Sequence, residues 1–278
     1  MACHICVDCG AQNPFASSPP TDCFISQDER EFVGINGLQW TTRQEMLNIY
    51  KNKIKCEEEG LYSIRTEPQF AIGQRAFLVQ TPNGNILWDC ISFFDQNTID
   101  SLKQLGGIDA IAISHPHFFG SMSDWSHEFG DVPIYIHENL KNWVARPADC
   151  IHFWNGRTKD LFDGKLKLIQ TGGHFEGSQV LYWPAGASQN GVLLSGDEPH
   201  ICMDPKQVSF MHSFPNYIPL NARKVTRILE SLEPLNYDRL YCAVLSGGGG
   251  DGVIRQMAKQ IVERSGKRYL KAISDDSN

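Results

Sequence analysis

Three apolar stretches of strand length each end in side chains that can bind a metal ion, and this pattern strongly constrains the fold. His115 and His117 directly follow residues 110–114, which are almost entirely apolar. His174 follows a stretch that closes with two glycines, and Asp197 ends a third apolar run. Because residues i and i+2 of an extended chain point to the same side, the two imidazoles of the first pair should converge at a strand end.

The size and composition of the chain suit one α/β domain with a small appendage. With 278 residues, of which 41% are hydrophobic, it can bury a large core. No apolar run approaches the roughly 20 residues of a membrane helix, and the N-terminus lacks the apolar core of a secretion signal. The net charge of −7 argues against binding to nucleic acid. We therefore expect a soluble, cytoplasmic protein that acts on a small molecule.

The patterns along the chain predict a β-hairpin that is followed by alternating strands and helices. The hairpin comprises residues 76–80 and 86–90 around Pro82-Asn83-Gly84. Two sheets with helices outside them are expected from this order of elements. The predicted helices are 97–105, 123–129, 221–232 and 252–271, and the predicted strands are 110–114, 134–137, 166–170, 180–183, 192–195 and 240–245.

The first 60 residues differ from the rest of the chain. Residues 1–27 are rich in cysteine and proline, and we interpret them as a small segment resembling a zinc ribbon. Thr42 and Glu45 form a capping-box pattern that predicts a helix reaching about Lys53. Residues 28–60 are accordingly predicted to be a helical linker, and residues 61–278 the main domain.

The residue types at the three strand ends suit a metal site. Neutral imidazole nitrogens and carboxylates are preferred zinc ligands, and catalytic zinc sites commonly use three protein ligands. Taken alone, His115 and His117 are equally compatible with two surface-loop histidines. Asp197 alone is compatible with a carboxylate that caps a turn. The joint occurrence of all the strand-end residues favours one metal bound by His115, His117 and His174 with Asp197 beside it.

The chain resembles the metallo-β-lactamase superfamily in the order and spacing of its His-x-His, Gly-His and Gly-Asp elements. It looks most similar to a metallo-hydrolase-like subgroup at the segments 29–42, 114–119, 173–178 and 213–220. The resemblance implies an α/β fold, an αβ/βα four-layer sandwich with a small cysteine-rich N-terminal segment. It also implies that Asp89 is a structural aspartate that braces the histidine loop.

The departures from the superfamily pattern concern the second metal. Dinuclear members supply an aspartate and a histidine where this chain has Phe119 and Gly120, and neither residue can coordinate an ion. A further histidine of those members corresponds to residues 245–251, which contain none. The resemblance therefore implies one metal ion, with Asp197 completing its coordination or serving as general base.

Three other features permit both a functional and a structural interpretation. Glu198 and His200 could reach a pocket or lie in a surface loop. The glycine run 247–250 suggests a phosphate loop, but no Lys-Ser/Thr follows it, and a flexible turn is the preferred interpretation.

The N-terminal cysteines predict a second metal site of a structural kind. Cys6, Cys9 and Cys23 resemble three ligands of a zinc ribbon, and the fourth position falls on Ser26. Cys3 or His4 could substitute for it. The alternative is an arm that binds no metal and is partly mobile.

The leading functional hypothesis is a mononuclear zinc hydrolase that activates water against an ester, thioester or lactone bond. Two alternatives keep the same fold. Three histidines and a carboxylate also suit Fe(II), so an iron-dependent oxidoreductase is one of them. The other is a non-catalytic binding protein that uses one metal for stability.

Overall fold

The computed structural model describes residues 1–243 and 251–274 of the chain. The chain divides into two compact units, Met1–Trp154 and Asn155–Asn278. The glycine run 247–250 and nearly all of the stretch 245–251 lie outside the described residues, so the expectations about them stay predictions. The predicted domain limits at residues 27 and 60 also stay predictions.

The first unit contains a three-stranded and a seven-stranded sheet. The strand orders are β2-β1-β3 and β10-β9-β8-β7-β6-β5-β4. The strands are β1 (Ala2–Cys6), β2 (Gln12–Ala16), β3 (Trp40–Thr41), β4 (Lys51–Glu58), β5 (Leu61–Glu67), β6 (Arg75–Thr81), β7 (Gly84–Trp88), β8 (Ala110–Ala112), β9 (Ile134–His137) and β10 (Ile151–Trp154). The helices are α1 (Arg43–Met46), α2 (Gln96–Gln104) and α3 (Met122–Glu128), with 3-10 turns at Pro116–Phe118 and Glu138–Trp143.

The predicted hairpin is confirmed as β6 and β7, which pair antiparallel with Thr81 opposite Gly84. After it the sheet continues with parallel strands, because β7 pairs with β8 and β8 with β9 in parallel. The middle strand β8 is buried along its whole length. The carboxyl end of this buried strand therefore delivers His115 into the interior of the unit.

The helix predicted from Thr42 to about Lys53 is wrong beyond its first turn. The capping box of Thr42 and Glu45 is present, but α1 ends at Met46. β4 starts at Lys51 and forms a hairpin with β5, so a strand of the large sheet lies in the segment predicted to be a helical linker. β4 is an edge strand rich in lysine and glutamate, a composition that protects sheet edges but hides the alternation of a strand.

The second unit, in its described residues 155–243 and 251–274, contains a sheet of order β11-β12-β13-β14-β19-β20 and two short strand pairs, β15-β16 and β17-β18. Its strands are β11 (Thr158–Leu161), β12 (Leu166–Gln170), β13 (Gln179–Trp183), β14 (Val192–Ser195), β15 (His200–Ile201), β16 (Val208–Ser209), β17 (Met211–Ser213), β18 (Ile218–Pro219), β19 (Arg239–Cys242) and β20 (Val253–Ile254). Its helical segments are α4 (Gly186–Gln189), α5 (Ala222–Leu232) and α6 (Ala258–Ser274).

The core of the second unit forms where α5 and α6 pack on the sheet. α5 buries Val225, Ile228 and Leu232, which recur at helical spacing on one face. Burial of each such side chain contributes about 1.5–3 kcal/mol. Asn221 caps this helix by accepting a hydrogen bond from the Lys224 amide at 3.0 Å. The predicted helix 221–232 is thus confirmed.

The helix predicted to begin at residue 252 begins instead at Ala258. The preceding Val253 and Ile254 form β20, which pairs antiparallel with Tyr241 and Leu240 of β19. Both side chains of β20 are 3% exposed. Two adjacent β-branched residues suit a buried strand better than a helix, and sheet pairing decides between the two.

In the described residues, none of the helices combines the length and the apolar character that a membrane span requires.

We predict that Gly191→Ala destabilises the second unit more than Gly164→Ala does. Both glycines have positive φ, at 82° and 78°. A Cβ at residue 191 would lie 2.1 Å from the Asn236 carbonyl oxygen, whereas a Cβ at residue 164 would meet nothing within 4 Å. We expect losses of about 2–4 kcal/mol for Gly191→Ala and about 1 kcal/mol for Gly164→Ala, measured by chemical denaturation. Equal losses would contradict the described packing at Gly191.

Candidate metal centre

His115 and His117 lie together in the first unit, directly after the buried strand β8. Both side chains are 1% exposed, and their ring centroids are 5.0 Å apart. Their candidate ligand nitrogens lie within 4.8 Å of one another. His115 is extended, with φ −168°, whereas His117 lies in the 3-10 turn that begins at Pro116. The predicted convergence of this pair is confirmed, although a turn rather than a straight strand brings it about.

Asp89 braces the start of the histidine loop, as the resemblance implied. The Ser114 amide donates to Asp89 Oδ1 at 2.6 Å. Ser114 Oγ in turn lies 3.0 Å from His115 Nδ1. The carboxyl is fully buried, and Asp89 has a positive φ of 61°, a conformation that aspartate tolerates better than most residues. A buried carboxylate therefore fixes the backbone at the residue before the first histidine.

Glu31 is a functional candidate that sequence reasoning missed. Its Oε1 lies 3.6 Å from His117 Nδ1, and the two side chains are 5% and 1% exposed. A buried carboxylate this close to a ring nitrogen attracts the partial positive charge that the ring carries when it binds a metal ion. Glu31 belongs to a segment of the first unit without helix or strand, so no periodicity marked it. The available signal was that it stands in the subgroup-like segment 29–42.

Phe119 and Gly120 occupy the places of second-metal ligands, and the structure closes these places. Phe119 is 3% exposed, and Gly120 has a positive φ of 47°. A Cβ at residue 120 would lie 2.9 Å from the Ile91 carbonyl carbon. The Gly120 carbonyl accepts a hydrogen bond from the Gln12 amide at 3.2 Å. A coordinating side chain at this position would require the backbone to move.

His174 and Asp197 lie together in the second unit. His174 Nε2 is 3.8 Å from Asp197 Oδ2, and both side chains are buried. His174 Nδ1 lies 3.1 Å from the Met211 carbonyl oxygen. Because a carbonyl only accepts, Nδ1 carries the hydrogen of a neutral ring, and Nε2 presents its lone pair. His174 is therefore held in the tautomer that binds a metal through Nε2.

The loop that carries His174 is closed by backbone hydrogen bonds between its two ends. Gly172 and Gly173 have positive φ values of 69° and 91°. The Ser178 carbonyl accepts from the Thr171 and Gly172 amides at 3.0 and 2.9 Å. A Cβ at residue 173 would lie 2.8 Å from Ile228 Cδ1, so glycine allows this loop to pack on α5. These glycines place His174 at the end of β12.

Glu198 holds the strand that orients His174, and the surface-loop interpretation of this residue is wrong. Glu198 is 3% exposed, and its Oε1 accepts from the Met211 amide at 2.5 Å. Met211 is thus held at its amide by Glu198 and at its carbonyl by His174. Burial raises the pKa of the Glu198 carboxyl well above its usual value, which favours the protonated acid.

His200 is also largely enclosed. Its ring centroid lies 4.8 Å from that of Phe214. Burial lowers its pKa, so the neutral imidazole is favoured. The sequence left the location of His200 open, and the structure places it in the short strand β15. The nearby Asp197 carboxylate acts in the opposite direction and raises the pKa of His200.

The three cysteines Cys6, Cys9 and Cys23 are brought together in the first unit, with their sulphurs within 4.8 Å of one another. Cys3 does not join them. It stands at the start of β1 opposite Phe15. Since three residues of extended strand span about 10 Å, Cys3 lies too far along β1 to replace the fourth ligand. Burial raises the pKa of the Cys3 thiol, which faces Arg146 and Asp124 instead.

We predict that Glu31→Gln weakens metal binding at the His115 and His117 pair by about 10–100-fold, the effect typical of removing a carboxylate that supports a ligating imidazole. The amide preserves the shape of the side chain but removes its charge. Zinc affinity, measured by competition with a chromogenic chelator, checks this. The control is Glu29→Gln, on the exposed side of the same segment. Equal affinities for the two variants would refute the role of Glu31.

We predict that Gly120→Asp destabilises the chain by about 1–3 kcal/mol and adds no metal ion, because the new side chain meets backbone. Gly130→Asp is the control, since Gly130 also has a positive φ and a Cβ there would meet nothing within 4 Å. Thermal denaturation and zinc content per chain are the measurements. An extra zinc ion in Gly120→Asp, without loss of stability, would contradict the closed second position.

Comparison with known proteins identifies the family to which the chain is similar. The sequence model of the metallo-beta-lactamase superfamily matches residues 71–244. The "Uncharacterized protein YmaE" of Bacillus subtilis (strain 168) is 45% identical over 278 residues, which cover 99% of this chain and 98% of that protein.

Solved structures of low sequence identity share the fold. The structure of VMB-1 has a TM-score of 0.58 at 13% identity and covers 80% of this chain and 98% of its own. The DIM-1 metallo-beta-lactamase exposed to ceftazidime has a TM-score of 0.55 at 12% identity and covers 79% of this chain and 98% of its own. The predicted fold class, a metallo-β-lactamase-like α/β fold with a cysteine cluster at its N-terminus, is confirmed. The chain belongs to the metallo-β-lactamase superfamily.

Proposed function

We propose that this chain is a metal-dependent hydrolase with a single zinc ion in its main centre. His115 and His117 of the first unit, and His174 and Asp197 of the second, would bind that ion. The substrate would be a small molecule with an ester, thioester or lactone bond. The observation that carries the proposal is a set of four buried donors at strand ends, in a chain of this superfamily whose second-metal positions are closed.

The donor set fits a borderline-soft divalent ion. Three neutral imidazoles with one carboxylate match the ligands that zinc takes in proteins. His174 Nε2 and Asp197 Oδ2 are 3.8 Å apart, and two atoms at this separation can both lie about 2.1 Å from one ion. The Met211 carbonyl behind His174 supplies an outer contact that keeps this ring oriented, and the Glu31 carboxylate lies beside the His117 ring.

A bound divalent ion supplies a Lewis acid and makes water nucleophilic near neutral pH. Within the chain, Asp197 would also be the general base, because the second oxygen of its carboxylate, the one not bound to the ion, could accept the proton of the attacking water. Glu198 accepts the hydrogen bond of the Met211 amide and thereby keeps Met211 in place. The imidazoles would hold the ion and thereby set the position of the water that it binds.

The closed second position supports the choice of substrate class. A second ion would stabilise the departing oxygen of a poor leaving group. With Gly120 packed against Ile91, this chain would lack that help. Thioesters, whose thiolate departs readily, and lactones, whose acyl carbon is attacked more easily than the phosphorus of a phosphodiester, are therefore favoured over phosphodiesters.

All nine cysteines of the chain are free thiols in the structure. Free thiols persist in reducing compartments, which supports the expected cytoplasmic location.

We predict that Asp197→Asn lowers kcat for the best substrate by on the order of 10²–10⁴-fold, the usual loss on removal of a general base. Zinc-loaded protein is to be assayed against a thioester, a lactone, an aryl ester, a phosphodiester and a β-lactam. Asp204→Asn, which alters an exposed aspartate of the same unit, is the control and should keep full activity. No turnover of any ester-type substrate by the zinc-loaded protein, or equal kcat for both variants, would overturn the proposal.

A further inference from the structure

Two turns of the N-terminal segment place four soft or polar atoms together in the interior of the first unit. Cys6 is the last residue of β1 and Cys9 lies in the turn that follows it, whereas Cys23 and Ser26 lie at a second turn, after β2. All four side chains are buried, with exposures of 0%, 1%, 3% and 1%. No residue of the proposed catalytic centre belongs to this cluster.

The two turns share the same backbone hydrogen bonds. In the first turn, the Gly10 amide donates to the Cys6 carbonyl at 2.9 Å, and in the second the Gln27 amide donates to the Cys23 carbonyl at 2.9 Å. In each turn a backbone amide also donates to the sulphur of the cysteine three residues earlier. The Cys9 amide donates to Cys6 Sγ, and the Ser26 amide donates to Cys23 Sγ. Cys6-x-x-Cys9 and Cys23-x-x-Ser26 are therefore equivalent turns, and Ser26 occupies the place that corresponds to Cys9.

The distances match one ion in a tetrahedral site. Cys9 Sγ and Cys23 Sγ are 3.6 Å apart. Ser26 Oγ lies 3.1 Å from Cys6 Sγ and 3.4 Å from Cys23 Sγ. With zinc–sulphur bonds of about 2.3 Å, neighbouring sulphurs of a tetrahedron lie about 3.8 Å apart. A disulfide would require about 2.05 Å and would leave the third thiol without a role.

We propose that Cys6, Cys9 and Cys23 bind one zinc ion as thiolates, with the Ser26 hydroxyl on the fourth side. Binding releases the protons of the three thiols and involves no change of oxidation state. Because all four side chains are buried, the site is closed. Closed zinc sites serve structure, whereas catalytic ones keep a position open to solvent.

The contacts of the first turn show what the ion would stabilise. Gln74 Nε2 donates to the Cys9 carbonyl at 2.7 Å and to the His117 carbonyl at 3.1 Å. Ser92 Oγ donates to the Gly10 carbonyl at 2.6 Å. The turn that carries Cys9 is thus joined through one buried glutamine to the loop that carries His117. The zinc ion bound by the three thiolates would hold the N-terminal segment against the loop that carries His117.

Cobalt(II) substitution tests this site separately from the catalytic centre. Only thiolate ligands give a sulphur-to-cobalt charge-transfer band, so histidine and carboxylate ligands do not contribute to it. We expect the whole chain to show this band with three thiolates per cobalt. Ser26→Cys should raise its intensity in the ratio of four to three, and Ser26→Ala should leave it unchanged. Cys9→Ser should reduce it to two thirds or abolish it.

The matched control is Cys56→Ser, which replaces an exposed thiol of the same unit and should leave the band unaltered. The proposal is wrong if the whole chain gives no charge-transfer band. It is also wrong if Ser26→Cys leaves the intensity unchanged, or if mass spectrometry finds a Cys9–Cys23 disulfide in the protein purified under reducing conditions. Because Ser26→Cys retains every native cysteine, the test does not depend on whether Cys9→Ser folds. Failure of the proposed hydrolysis would leave the band untouched.

Discussion

The hydrogen bond from the Ser114 amide to the buried Asp89 carboxylate fixes the end of the central strand β8. This hydrogen bond is costly to break because both groups are buried. If it breaks, each group stays buried without this hydrogen bond, and burial keeps water from replacing it. The backbone that follows has little freedom, and His115 and His117 are presented at its exit. This fixed point therefore helps to keep the two imidazoles close together in a buried loop.

Each pair of candidate ligands is oriented by groups of its own unit. In the first unit, Glu31 Oε1 lies beside His117 Nδ1, and Gln74 holds the backbone of the same residue. In the second unit, Met211 lies between Glu198 and His174 and orients the imidazole through its carbonyl. Carboxylates and carbonyls behind ligating imidazoles set their tautomer and direction, which a bare ligand list does not describe. Glu31 thereby contacts a candidate ligand although it precedes the superfamily match.

The elements that could be predicted from the sequence are those whose apolar pattern matches their own burial. The hairpin of β6 and β7, the helix α5 and the ligand-bearing ends of β8, β12 and β14 all belong to this class. β4 escaped prediction because an edge strand with charged side chains has no apolar alternation. Glu31 and Gln74 escaped because their roles depend on contacts with residues more than 40 positions away in the sequence, which local patterns do not encode. Cys3 was a plausible substitute ligand by composition, but the extended strand carries it away from the turn.

The central claim is that His115, His117, His174 and Asp197 share a single ion. Anomalous diffraction at the zinc edge, from crystals grown with zinc, tests it most directly. We predict one peak at the histidine centre, in contact with three imidazole nitrogens and one Asp197 oxygen. Two peaks about 3.5–4 Å apart at this centre would reveal a dinuclear site and contradict the account. A peak that contacts only one of the two ligand pairs would contradict it as well.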